Sequence, residues 1–270
     1  MVPGIAPKPP GGVGMSVLDI VKAAGQAAGL VMALDTGDRN SFIPGAQTLA
    51  DLKGSYSFTL GSTTGASTDD PTFSGTSGGK SAAEKLAYDG GDFLILNAAN
   101  DTFMNGLHKL GGEFTFIEFG VPILGGGGQV RFGTVNVFSA SGLGVVCYVD
   151  SSNRLVATIG NGSGVSEDPS VATVTGSQVN MMGFARKTTS TTNRDITTYL
   201  NGTFQTANVT SSYTPSASNS STARISGAAN GAGIITNGGT LAAALMFNRL
   251  LVQADFDAIR AKALKRWPTI

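Results

Sequence analysis

Hydrolysis of a glycosidic bond needs two carboxylates in one cleft, one to protonate the leaving oxygen and one to attack or to activate water. The sequence has one close glutamate pair on a predicted strand, Glu113 and Glu118 in Glu113-Phe-Thr-Phe-Ile-Glu-Phe-Gly-Val121. Side chains alternate along a strand, so an odd separation puts these two on opposite faces, where they cannot share a cleft. The single histidine, His108, and single cysteine, Cys147, lie far apart in the chain without a nucleophile motif, so no triad is expected. Cys147 sits in the apolar run Leu143-Gly-Val-Val-Cys-Tyr-Val149 and reads as a buried structural thiol that cannot form an intrachain disulfide. His108 reads as a satisfied surface or interface side chain. A sugar site would place aromatic platforms beside loop amides and carboxylates. Tyr56, Tyr148, Tyr199 and Tyr213 lie in or near candidate loops and strands, but each reads as packing. No catalytic residue is assigned, and the chain is expected not to be an enzyme.

The elements that must position any such residues are mostly strands. Only 13% of the 270 residues are charged and 41% are apolar, while 38 glycines imply many tight turns and little continuous helix. The formal net charge is zero, 18 basic against 18 acidic side chains, which leaves no electrostatic footprint for nucleic acid. No apolar stretch approaches the ~18 residues that span a bilayer, so membrane insertion is not expected. The Pro/Gly-rich start is broken by charged residues and gives no secretory signal.

Residues 1–14 read as an extended Pro/Gly arm. Ser16 caps a predicted helix from Val17 to about Ala28 that ends at Gly29; it would serve as an attachment helix or pack on the body. Residues 1–29 thus form an arm with a short helix, and 30–270 a single domain. Leu30–Leu34 is the first predicted strand. From Pro44 to Lys85 the chain reads mostly as loop around Ser57–Leu60. Leu86–Leu96 is predicted as a β-hairpin turning at Asp89-Gly90-Gly91. Phe103, Met104 and Leu107 suit a turn or two of helix, and 113–121 alternates as a strand covered on both faces.

Further strands are predicted near 129–138, 143–149, 154–159, 171–174 and 181–185. Asn201-Gly202 marks a second hairpin, because a type I′ turn needs positive φ at both positions. The chain closes with a strand, Leu241–Phe247, and an amphipathic helix, Gln253–Trp267, whose apolar stripe is Phe256, Ile259, Ala263 and Trp267. Acidic residues open that helix and basic ones close it, as the macrodipole favours. Pro268 ends it. Short strands at regular turn spacing favour a sandwich or a barrel.

Three segments together carry a resemblance: Leu86-Ala-Tyr-Asp-Gly-Gly-Asp-Phe-Leu94, Thr198-Tyr-Leu-Asn-Gly-Thr203, and Gly239-Thr-Leu-Ala-Ala-Ala-Leu-Met-Phe-Asn-Arg-Leu250 with the helix that follows. The combination resembles the concanavalin A-like lectin, or laminin-G-like, jelly-roll superfamily over roughly residues 30–270. With Leu34-Asp-Thr-Gly-Asp38 and Asp70-Pro-Thr-Phe-Ser-Gly75 it is similar to laminin-G-like proteins of tailed-phage virions. The resemblance implies an all-β, antiparallel jelly-roll sandwich with a short N-terminal helix and a C-terminal amphipathic helix. It further implies a virion structural protein on the phage particle surface, as a head decoration, spike or fibre component. Such a protein would be held to other virion proteins by its arm, assembled as a homo-oligomer, and turned towards host-surface glycans. The alternatives are a stand-alone carbohydrate-binding module or a glycosidase or lyase. Relatives of this kind often hold calcium, which takes about six to eight oxygens. Asp35, Asp38, Asp89 and Asp92 are the candidate ligands, although Asp/Gly pairs are turn formers first. No other cofactor is implied.

Overall fold

The computed structural model describes residues 14–98, 101–139, 142–189, 193–210, 214–235 and 238–270. The predicted arm therefore lies almost entirely outside the described residues, as does Tyr213. In chain order the elements are α1 (Val17–Ala23), β1 (Leu30–Asp35), β2 (Thr48–Ala50), β3 (Ser57–Leu60), β4 (Thr72–Ser74), β5 (Lys85–Ala87), β6 (Leu94–Leu96) and a 3-10 turn at Met104–Gly106. They continue with β7 (Glu113–Val121), β8 (Gln129–Gly133), β9 (Leu143–Val149), β10 (Arg154–Asn161), β11 (Val165–Thr173) and β12 (Asn180–Thr188). The last are β13 (Asn193–Leu200), β14 (Thr203–Thr210), β15 (Arg224–Ile225), β16 (Thr240–Phe247) and α2 (Gln253–Ala263). Two eight-stranded sheets result, with every pairing described here antiparallel. The first runs β14-β13-β12-β7-β16-β5-β4, with β1 also on β16; the second runs β11-β10-β9-β8-β15-β6-β3-β2. The chain is the all-β sandwich with two terminal helices that the sequence implied.

One core lies between the sheets and another lies outside the first sheet. Phe116 of β7 stacks on Phe132 of β8 with ring centroids 5.0 Å apart, which ties the sheets face to face. Outside, Val17, Ile20 and Val21 of α1 and Phe256, Ile259 and Ala263 of α2 pack on Ile117, Phe119, Ala243 and Leu245. Both faces of β7 are thereby covered, as its mixed alternation predicted. β16 is buried at every position because it separates the two cores. A register shift against β7 between Leu241 and Ala243 turns Ala242 and Ala243 to the same outer core, where small side chains let the helices approach.

α2 ends at Ala263 rather than at Trp267, because the Lys265 and Arg266 N–H groups bond back three residues, to the Lys262 and Ala263 carbonyls, but its apolar stripe is still buried. Phe256, Ile259, Ala263 and Trp267 are all buried, and Trp267 stacks on Phe119 at 4.4 Å. Gly183 of β12 makes room for the second stack, Tyr199 on Phe256 at 4.7 Å, since a Cβ there would lie 2.5 Å from the Phe256 ring.

Three further expectations change. α1 stops at Ala23 rather than near Ala28, because Gly25 takes φ +74° and the Gly25 and Gln26 N–H groups bond back to the Lys22 and Val21 carbonyls. The predicted Leu86–Leu96 hairpin does not exist. β5 pairs with β16 and β4 in the first sheet, whereas β6 pairs with β3 and β15 in the second, so Asp89–Asp92 is a crossover between sheets. The stretch read as loop from Pro44 to Lys85 also holds β2 and β4, three residues each, too short to show a period. The Asn201-Gly202 hairpin is present, with φ +48° and +104° at the two positions.

Candidate functional site

A concavity of about 500 Å³ lies where the 3-10 turn meets the start of β7. Asp101 builds its floor by accepting the Met104 N–H at 2.8 Å, and Met104 and Leu107 anchor the turn in the inter-sheet core. Gly111 and Gly112 then fold the chain back against the end of β12, exchanging backbone bonds of 2.9 Å with Thr188. A Cβ at Gly112 would meet the Gly106 carbonyl at 2.6 Å, so the turn requires glycine there. Half-buried Phe103 and Leu110, which is 58% exposed, give the cleft an apolar strip.

Glu113, Lys109 and Asn248 supply its polar groups. Glu113 Oε1 accepts the Leu250 N–H at 2.8 Å and Oε2 faces Lys187 Nζ at 2.9 Å. Burial alone would raise this carboxyl, but the Lys187 contact and the Leu250 N–H outweigh it and hold it below the ordinary value. It is therefore an ionised, fixed acceptor at neutral pH. Lys109 Nζ donates to Asn219 Oδ1 at 2.9 Å. An apolar strip flanked by a carboxylate, an ammonium and an amide suits a ligand with both C–H faces and hydroxyls.

Glu118, the other member of the glutamate pair, is fully buried between the sheets and is gripped by Arg131 of β8, whose Nε donates at 2.9 Å. The opposite-face reading of Glu113 and Glu118 is correct. Cys147 is buried and free, with its thiol pushed up by burial. Tyr148 and Tyr199 are buried and Tyr56 packs against the inter-sheet core, as their packing reading required. His108 departs from expectation: it is wholly buried, not a surface side chain, because the segment 214–222 covers it. Nothing in its sequence neighbourhood marked this, since its partner is a backbone carbonyl 110 residues away.

Three of the four aspartates proposed as calcium ligands have other work, and the fourth, Asp89, is exposed. Asp35 forms a bidentate pair with Arg266, at 2.6 and 2.8 Å, and also accepts the Val17 and Gly37 N–H groups. Asp38 pairs with Lys80 at 3.0 Å and accepts the Asn40 N–H. Asp92 accepts the Asp89 N–H at 2.6 Å within the sheet crossover, and its Oδ1 is buried without a hydrogen-bond partner. Burial, and then the charges of Asp89 and Asp70, push its carboxyl up to about 6. Among the described residues no three or more His, Cys, Asp or Glu side chains are arranged to hold a metal ion, and carboxylates already matched by Arg266 and Lys80 do not fit calcium.

No protein-family model matches the chain, and no curated protein matches it. Solved structures do. A Trypanosoma rangeli sialidase in complex with the inhibitor DANA is similar over 87% of this chain and 33% of its own, at 12% identity and a TM-score of 0.54. Botulinum neurotoxin type C, whose cell entry depends on interaction with two ganglioside molecules, is similar over 90% of this chain and 52% of its own, at 14% identity and TM-score 0.56. The binding domain of botulinum neurotoxin DC, in complex with SialylT, covers 86% and 51% at 15% identity and TM-score 0.54. The likeness is one of fold. It extends over the two-sheet β-sandwich, and this chain spans about a third of the sialidase and half of the neurotoxin chains. It also corrects the expectation of a non-enzyme. Sialidases, which are enzymes, contain a sandwich of this shape, so a missing acidic pair in the sequence is no ground for excluding turnover.

Proposed function

We propose that the chain is a carbohydrate-binding β-sandwich whose ligand occupies the cleft of Phe103, Lys109, Leu110, Glu113 and Asn248. The observation that carries this reading is the apolar strip beside a fixed, ionised Glu113 carboxylate. The neurotoxin and sialidase structures support it as neighbours that interact with gangliosides or hold sialic acid. A glycan array followed by titration tests it. Saturable binding to at least one glycan is expected, weakened about tenfold or more, roughly 1.4 kcal/mol, by Leu110→Asp. No saturable binding, or binding untouched by Leu110→Asp, would reject the cleft.

We infer further that the sandwich is displayed on a tailed-phage particle, joined to other virion proteins through its N-terminal residues and self-associated. The support is the resemblance of the segments around Leu34–Asp38, Asp70–Gly75 and Leu86–Leu94. α1 is committed to the outer core, which leaves residues before Gly14 for attachment. Particles assembled with a chain lacking residues 1–13 should lose the protein while the purified variant keeps the wild-type melting temperature. Full incorporation of that variant would remove the arm from this reading.

A further inference from the structure

Segment 214–222 is strapped to Asn105–Lys109, the stretch that adjoins the cleft, by three side-chain contacts. His108 Nε2 lies 2.9 Å from the Ser218 carbonyl, Lys109 Nζ donates to Asn219 Oδ1 at 2.9 Å, and Ser220 Oγ donates to Asn105 Oδ1 at 3.2 Å. The central contact has a defined proton. A carbonyl only accepts, so Nε2 must carry the hydrogen, and the neutral ring then keeps a bare Nδ1. That nitrogen is buried and has no partner, on a residue with no exposed surface. The flanking residues Gly106, Leu107, Lys109 and Leu110 line the cleft.

We propose that segment 214–222 is an acid-released strap: protonation of His108 loosens it and alters the carbohydrate cleft that residues 106–110 line. This regulation rests on the carbohydrate reading of that cleft; the release of the strap does not. A proton on Nδ1 would create a buried donor without an acceptor and a buried charge without a counter-ion. The surroundings offer no compensation. Segment 214–222 contains no titratable side chain, and on His108's own segment the neighbouring charge is the Lys109 cation. The Asp101 carboxylate on that segment is engaged by the Met104 N–H, and from the adjoining strands Glu113 is held by Lys187. Burial, with a smaller contribution from Lys109, lowers the affinity of His108 for a proton against the raising effect of the Ser218 carbonyl. The closed strap therefore binds fewer protons than the open one. It is at full strength above the ordinary histidine value of about 6.5 and weakens as pH falls below it.

His108 is the only histidine in the chain, so its ring signals report its titration without assignment by mutation. In the full chain the ring should titrate below about 6.5. Backbone hydrogen exchange of 214–222, corrected for intrinsic pH dependence, should speed by at least about fivefold between pH 7.5 and 5, roughly 1 kcal/mol. His108→Gln keeps a donor for the Ser218 carbonyl and cannot titrate, so it should abolish the acceleration. A ring that titrates at or above 6.5, unchanged exchange, or equal acceleration in His108→Gln would each overturn the proposal. Should the variant fail to fold, the ring titration decides. Exchange is read without ligand, so a strap that opens on a chain that binds no glycan would sink the carbohydrate reading and leave the strap standing.

Discussion

Asp35 and Arg266 show what a single pair of residues can organise. Arg266 also donates to the Ser81 carbonyl, lies 4.4 Å from the centre of the Trp267 ring, and joins α2's end to the last residue of β1, while Asp35 takes the first N–H of α1. Removing one partner leaves the other charge buried, so Asp35→Ala or Arg266→Ala should each cost about 3–5 kcal/mol in denaturant unfolding. The double variant should recover part of that loss. Asp92 makes the opposite prediction. Its carboxyl is raised to about 6 from the ordinary 3.8, so the folded state binds more protons between those values and stability falls as pH rises through them. Asp92→Asn can still accept the Asp89 N–H and carries no charge. It should melt higher than wild type at pH 8, by the equivalent of about 1–2 kcal/mol, and flatten the pH dependence between 4 and 6. Sequence read these aspartates as turn formers or calcium ligands and missed these roles, because Asp35 meets its arginine 231 positions away and an Asp-Gly turn looks the same with or without a buried carboxyl.

At the scale of elements, legibility followed locality. The Asn201-Gly202 turn, the alternation of Glu113–Val121 and the i, i+3, i+7 stripe of the last helix are periods or turns complete within a few residues; the first two elements formed where they were read, and the helix formed from Gln253 but stopped at Ala263. Asp89-Gly90-Gly91 has equally good hairpin chemistry, yet its flanking strands part to different sheets. Leu86 and Leu241 need each other across the first sheet as Leu94 and Ile225 do across the second. Turn residues permit reversal; pairing partners elsewhere decide it. The cleft was missed for a related reason, since Asn248 reaches it only through β16's pairing with β1 and β7. Gly183 tests element packing directly. A methyl there would press on the Phe256 ring and the Tyr199 Cβ, at 2.5 and 3.0 Å, and both belong to packed elements. Gly183→Ala should therefore destabilise by about 1–3 kcal/mol, and a smaller ring partner, Phe256→Leu, should relieve part of the strain in the double variant.

For the whole molecule, the inter-sheet core and the helix-covered core share the strands of the first sheet, β7 and β16 at its centre. β7 and β16 carry Phe116 and Met246 into the inter-sheet core and Phe119 and Leu245 into the helix-covered one, so neither core can be exposed without loosening the strands that floor the other. The helices are in this sense a third layer of one cooperative unit, with α1 drawn in from the other end of the sequence. Trp267, at the centre of the outer core and stacked on Phe119, is the place to test that unity. Trp267→Ala should lower unfolding free energy by about 3–5 kcal/mol, as large aromatic truncations do. The form of the transition matters more than its size. If the layers are one unit, the variant still unfolds in a single step, and amides of α2 and β16 exchange with the same opening free energy. Amides of α2 that open several kcal/mol more easily than those of β16 in the wild-type chain would instead make the outer layer a separable cover.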